Sequence, residues 1–327
     1  MSRPADTLCW FGKVRSRSDF VRSARQAALT QLLDRWLSQG LAQLSVDPRW
    51  KQLYDRAEAA RFAVLGARSR IALAGHVAPS ADASGRRFPF VALAAFQTGD
   101  APQHFLAHAP LALEAPWRQL EGFVHRACSA DDVAPVLAEA PRLALEIETT
   151  AEGWARHWLD FVAGCSLGGL QALLQRSYPD FDLRRALLGL GLLLQPVRAS
   201  GVSRLDKGLR LPLPAQHASG VAALWMQLLA PFLAHGDFEL VLLLPSAQRG
   251  GTASLVVGFA GASPAMLQAL FDPQRGGVAF IELQAPSWVD THVARDAALR
   301  KLDAHLRQDG LSLRQAVESF KACFLGE

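Results

Sequence analysis

Between residues 60 and 100 the chain writes three strand-like runs in succession, 61–65, 71–77 and 88–96. Helical spacing then returns at 117–127 and 132–139. A doubly wound parallel sheet needs a crossover helix between successive strands. Here strands and helices mix without that alternation, so the pattern points to an α+β fold with antiparallel neighbours. The connection between the second and third runs, APSADASGRR at 78–87, is rich in Pro, Ser, Asp and Gly and reads as a turn or exposed loop.

Upstream, the apolar stretch 8–14 reads as a short strand followed by a basic loop. Leu29, Leu32, Leu33, Trp36, Leu37, Leu41 and Leu44 then recur at spacings of three and four, the stripe of an amphipathic helix. Asp19 is placed to cap this helix or a shorter one before it. Asp47-Pro48, a cap followed by a first-turn proline, starts a second helix carrying Trp50, Leu53 and Tyr54. Downstream, helices are expected at 154–162, 167–174 and 183–194. Strands at 209–213, 238–244, 253–259 and 278–283 interleave with helices at 221–233 and 264–271, and helices at 292–306 and 313–320 follow. A chain of 327 residues suggests about two domains. The expected units are 1–145 and 146–327, two α/β-type units, each a mixed or mainly antiparallel sheet flanked by helices; no role attaches to the second.

Half the residues are apolar and 20% charged, which sets the chain apart from disordered sequences. No segment reaches the roughly 18 uncharged apolar residues of a spanning helix. The nearest, 186–197 and 221–234, are shorter and contain proline. The first residues lack the apolar stretch of a secretory signal. A cytoplasmic protein without membrane insertion is the expectation. Cys9, Cys128, Cys165 and Cys323 lie too far apart for a C-x-x-C pair and read as thiols.

The net charge of +4 is unevenly spread: residues 1–100 hold 15 Lys and Arg against 8 Asp and Glu, the remainder 19 against 22. Of the 34 basic residues 29 are Arg, in a chain rich in Ala and Leu, so arginine abundance by itself says little. No nucleic-acid-reading motif accompanies it, and no nucleic acid is expected as partner.

Chemical motifs are few. Gly164-Cys165-Ser166-Leu167-Gly168 matches G-x-S-x-G, the turn that presents a hydrolase serine between strand and helix. What precedes it has helical spacing, so a break between two helices competes with a Ser166 nucleophile served by His217, His235, His292 or His305. The scattered histidines give no metal spacing. Gly250, Gly251, Gly258 and Gly261 complete neither phosphate-binding nor dinucleotide fingerprints, so no cofactor is expected.

Two polar loops remain, GKVRSRSDF and PSADASGRRFPF, each beside a probable strand. The first belongs to a stretch in which Lys13, Arg15, Arg17, Arg22 and Arg25 surround Asp19. Lys13, Arg15, Arg17, Arg86 and Arg87 would converge into a basic patch, with Asp19 and Asp82 orienting arginines through ion pairs. Such a patch steers an acidic partner or holds a phosphate. The competing reading is a solvated face on which Gly85 and Pro89 only shape a turn.

Residues 12–21, GKVRSRSDFV, resemble the opening G-K-L-P-S-R-G-D-F-V of the TagF family, accessory proteins of bacterial type VI secretion. Asp34-Arg35-Trp36-Leu37 with Gly40-Leu41 is similar to the family's W-D-x-W-L-x-x-G-L. Trp50, Tyr54 and Arg61-Phe62 fall where its W, Y and W-R-F do. Pro79-Ser80-Ala81-Asp82 with Gly85-Arg86-Arg87-Phe88-Pro89 resembles its P-S-V-D-x-x-G-R-Y-F-P. The match covers roughly residues 9–95, the second half is only loosely similar, and Arg15 and Ser18 replace the family's proline and glycine. The resemblance implies a non-enzymatic, post-translational repressor of type VI secretion bound to that system's cytoplasmic forkhead-associated scaffold protein. Partner contacts would come from Lys13, Arg17, Asp19, Asp82, Gly85, Arg86, Arg87, Phe88 and Pro89. A Ser166 hydrolase and an anion-binding module are the alternatives.

Overall fold

The computed structural model describes residues 2–4, 8–24, 26–99, 101–200, 205–234, 236–246, 252–272 and 279–326. In chain order the first part holds β1 (Ser2–Pro4), β2 (Cys9–Gly12), β3 (Val21–Arg22), α1 (Ala27–Leu44), α2 (Trp50–Arg56), β4 (Ala60–Gly66), β5 (Ile71–Ala78) and β6 (Phe90–Gln97). Then come α3 (Pro102–Ala112), α4 (Glu114–Ser129), α5 (Ala134–Glu139) and β7 (Glu146–Glu148). The remainder holds α6 (Ala151–Gly164), α7 (Leu167–Gln175), α8 (Leu183–Ser200), β8 (Gly208–Pro212), α9 (Ala218–Leu233), β9 (Glu239–Pro245), β10 (Ser254–Gly258) and α10 (Pro264–Phe271). The chain closes with β11 (Phe280–Glu282), α11 (Val289–Arg295), α12 (Ala297–Leu306) and α13 (Leu313–Leu325). Arg25, His235, Gly250, Gly251 and Val278, which figure in the sequence reading, lie outside the described residues.

The α+β class holds. Among the described residues a nine-stranded sheet runs β11-β8-β10-β9-β4-β5-β6-β2-β3, antiparallel at every step except β11–β8. A small antiparallel pair, β1–β7, stands apart from it. This sheet crosses the division expected at residue 145, because β4 pairs with β5 on one edge and with β9 on the other, in register from Ala60↔Pro245 to Gly66↔Glu239. The reason is in the composition of β4 and β9. ARFAVLG and ELVLLLP carry apolar residues on both faces, as strands do when helices cover both sides. Ala63, Leu240 and Leu242 face the core built with α3, α4, α8, α9 and α13, while Phe62, Val241 and Leu243 face the core built with α1 and α10.

Several local readings change, one of them the start of α2, which begins at Trp50 while Asp47 accepts the Arg49 amide at 2.8 Å instead of capping the helix. The helix expected at 292–306 is two, broken at Asp296, whose carboxylate accepts the Ala298 and Leu299 amides at 2.7 and 3.0 Å and so caps α12. Asp19 caps no helix: its Oδ1 accepts the amide of Phe20 at 2.8 Å, and α1 starts after Gln26. α3 carries no legible period because PQHFLAHAPLA is buried nearly all round.

Candidate functional site

β2 ends at Gly12 with φ 137°, a conformation glycine alone adopts cheaply, and a Cβ there would stand 2.0 Å from the Pro89 carbonyl oxygen. This close crossing sets the chain leaving β2 beside the chain entering β6. The first turn closes through the Arg17 amide on the Val14 carbonyl at 3.1 Å. It meets the 78–89 loop directly: the Ala83 amide donates to the Arg17 carbonyl at 2.9 Å, and Arg86 Nη2 to the Ser18 carbonyl at 2.5 Å. The two arginine-bearing turns therefore lie side by side.

Asp82 holds them together. Its buried carboxylate accepts the Ser84 and Arg86 amides at 3.0 Å each, Arg86 Nε at 2.7 Å and Lys13 Nζ at 3.0 Å. Burial pushes this carboxyl up. The Arg86 amide, the Lys13 ammonium, the Arg86 guanidinium and the Ser84 amide outweigh it and leave Asp82 well below the usual carboxylate range. Gly85, at φ 78°, makes the turn that brings the Arg86 amide back to this carboxylate. Tyr54 fixes the loop from behind, its hydroxyl donating to the Ser80 carbonyl at 2.8 Å and accepting the Ser80 amide at 2.9 Å.

The surface differs from the expected basic patch. Each cation already faces an acid: Lys13 and Arg86 face Asp82, and Arg87 forks onto Asp55 with two 2.7 Å bonds. Arg15 reaches Asp131 at 2.8 Å and Arg17 reaches Asp132 at 2.9 Å. Asp19 does not orient Arg17, because its carboxylate is turned to the Phe20 amide while Arg17 reaches across to the α4–α5 connection. The Ser16 hydroxyl accepts the Val133 amide there at 3.2 Å, so the first turn is seated on that connection.

Of the site residues named from the sequence, Lys13, Asp82, Phe88 and Pro89 are buried and hold the surface in place; Arg17, Asp19, Gly85 and Arg86 are exposed on it and Arg87 is half-buried. Phe88 is a core residue. The exposed aromatic is Phe20, 41% accessible, stacked on Phe11 at 5.3 Å with Phe88 edge-on at 4.8 Å and Lys13 Nζ 5.0 Å above its ring. Phe20 lies within the GKVRSRSDFV motif, but nothing in sequence distinguishes it from a core phenylalanine.

Ser166 stands between two helices, not between strand and helix. Its hydroxyl accepts the Gly169 amide at 3.1 Å and caps α7, and no histidine hydrogen-bonds it among the described residues. Replacing Ser166 with alanine is expected to cost about 1 kcal/mol, read as a modest fall in thermal midpoint, with no effect on partner capture. Among the described residues no group of three His, Cys, Asp or Glu side chains is placed to hold a metal ion, and no helix is long and apolar enough to cross a membrane.

Residues 9–140 match the family model of the TagF N-terminal domain, described as type VI secretion system-associated. A crystal structure of PA0076 from Pseudomonas aeruginosa PAO1 aligns with 42% of this chain at 22% identity and a TM-score of 0.34. The alignment spans 62% of that protein's chain. No curated protein matches.

Proposed function

With a TagF N-terminal domain at residues 9–140 as the premise, we propose that this protein is a cytoplasmic, non-enzymatic regulator that represses type VI secretion after translation by binding the system's forkhead-associated scaffold protein. The observation that carries the reading is the paired-turn surface. Two loops from separate parts of the sequence are locked by one buried carboxylate, and they present Phe20 and Arg86 on a rigid base. Loops over a fixed scaffold are where recognition concentrates, and a half-exposed ring and an exposed guanidinium carried on the same pair of turns have the composition of a binding hot spot. Because Lys13, Arg15, Arg17, Arg86 and Arg87 are each paired with an acid, such a surface contributes shape and an apolar anchor more than long-range attraction. That disfavours an anion-binding module, which would need cations to spare. Repression follows by mass action if the scaffold's inactive state binds this surface better than its active state.

The test is capture of the purified scaffold protein by wild type and by Phe20→Ala, which removes the exposed ring and leaves every donor to Asp82 in place. The expected loss is at least about tenfold in affinity, with a modest fall in thermal midpoint from the lost ring contacts but a folded chain, and with Lys301→Ala, an exposed residue of α12, as a control. Full capture by Phe20→Ala would remove this surface from the mechanism.

A further inference from the structure

Behind the 78–89 loop lies a second feature, a cleft of about 510 Å³ between the end of α2, the start of β4, the end of β5 and α4. Its walls are small and apolar, from Ala57, Ala59, Ala78, Pro79, Ala81 and Val124. Its charged lining is Asp55, Glu58 and Glu121 against Arg87. His76 also lines the cleft. That residue is only 2% exposed, and its Nδ1 is buried with no hydrogen-bond partner among the described residues. A buried ring nitrogen left unpaired costs free energy, and native structures rarely tolerate it without a ligand or water to meet it. Glu121 adds an open acceptor. Arg61 places both its bonds, at 3.1 and 2.7 Å, on Oε2, and Oε1 accepts none among the described residues.

We propose that this cleft is a binding site for a guanidinium group, an arginine side chain presented by a partner protein, whose N–H donors meet His76 Nδ1 and Glu121 Oε1 while its methylene stem lies against the alanine walls. A planar guanidinium supplies several donors in a fixed fork, suited to two separate acceptors lining one cleft, and its aliphatic stem suits the alanine part of the walls. An anion would meet the carboxylates of the lining, and a purely apolar group would leave His76 as it is, unpaired. Burial also holds His76 down to a pKa of about 4, against the opposing charge of Glu121, so the ring is neutral at physiological pH and, in its Nε2–H tautomer, offers Nδ1 as an acceptor. This inference does not depend on which protein supplies the arginine, and it concerns a cleft separate from the Phe20 surface.

The experiment titrates the full chain with N-acetyl-L-argininamide, read by calorimetry and by the 15N resonances of the His76 ring. The neutral isostere N-acetyl-L-citrullinamide and the bare cation ethylguanidinium serve as comparisons. The expected result is a Kd on the order of 1 mM for a single side chain, a shift confined to His76 and to His125, which also lines the cleft, among the histidines, and binding of the citrulline probe weaker by about tenfold or more. Ala81→Leu, which fills the throat without touching a charge, is expected to abolish the shift, and Ala57→Leu tests the same point should the first variant fold poorly. Equal binding of the citrulline probe, binding that survives a folded throat-filling variant, or no His76 shift at saturating probe would each overturn the proposal. Ethylguanidinium binding as tightly as the amide would overturn the partner-protein part by assigning the cleft to a free small cation.

Discussion

A fragment ending at residue 145 is expected to associate or precipitate, showing no native monomer by size-exclusion chromatography with light scattering. Cutting there removes β9 and leaves the β4 edge, seven paired residues long, as an open apolar template of the kind natural sheets avoid. The second core opens as well. Phe62, Trp36 and Leu37 lose Val241, Leu243, Leu267 and Met266, and the indole of Trp36 loses the Ser263 carbonyl that accepts its N–H at 2.9 Å. Gly40 of α1 is packed so closely on Leu267 of α10 that a Cβ would come within 2.6 Å, so the two helices are fitted to each other. At about 1.5–3 kcal/mol for each large side chain exposed, the loss exceeds the roughly 5–15 kcal/mol that a domain has in total. A monomeric fragment with native-like circular dichroism would show instead that residues 1–145 fold independently.

Acid is expected to weaken the fold well before its carboxylates titrate. Burial is the main cause that lowers both His76 and His108 from the ordinary 6.5 to about 4. His108 sits against the indole of Trp154 with ring centres 3.7 Å apart and donates its Nδ1–H to the His104 carbonyl at 2.9 Å. The unfolded chain takes up these two protons near pH 6.5 and the folded chain only near pH 4, so between those values the unfolded state holds more protons. Stability is therefore complete above about pH 6.5 and falls as pH drops toward 4, by on the order of 2 kcal/mol per histidine. Asp82 adds a separate loss at lower pH, because its carboxyl is depressed in the folded state and its contribution fades only below the ordinary carboxylate range. Urea midpoints at pH 7.5, 6 and 5 are the measurement. Replacing His108 with glutamine, which keeps a hydrogen-bonding side chain and removes the titration, should flatten part of the slope between pH 6.5 and 4. A midpoint unchanged from pH 7.5 to 5 would mean that both imidazoles take up protons in place.

The elements were legible where periodicity is local. The leucine stripe of α1, the hairpin of β5 and β6, and the helical spacing before Ser166 all read directly from the sequence, because each is decided by neighbours within a turn or a pleat. The juxtaposition of the two arginine turns was expected from two polar, arginine-bearing loops each beside a strand, and both segments also carry the family's motif, although nothing in either fixes the contacts between them. The partners of the arginines were not legible. Arg15 and Arg17 find Asp131 and Asp132 some 115 positions away, where the chain shows only a short acidic connection between helices. The pairing of β4 with β9 was hidden for a related reason. Two strands apolar on both faces each say that they are covered, but not by what, and a division into two sheets satisfies the same pattern as one continuous sheet. The open acceptor on His76 had no sequence signature, since a histidine in an apolar strand looks the same with or without a partner.

The β4–β9 ladder joins residues about 180 positions apart. On the ribosome β4 is complete long before β9 has been synthesised, so during much of translation its outer edge has no partner of its own to take. Pairings of such separation form late and leave aggregation-prone species in the interval. Production of this chain in cells thus depends on how well that interval is protected, and holdase chaperones become a determinant of its abundance that no comparison of folded stabilities would reveal.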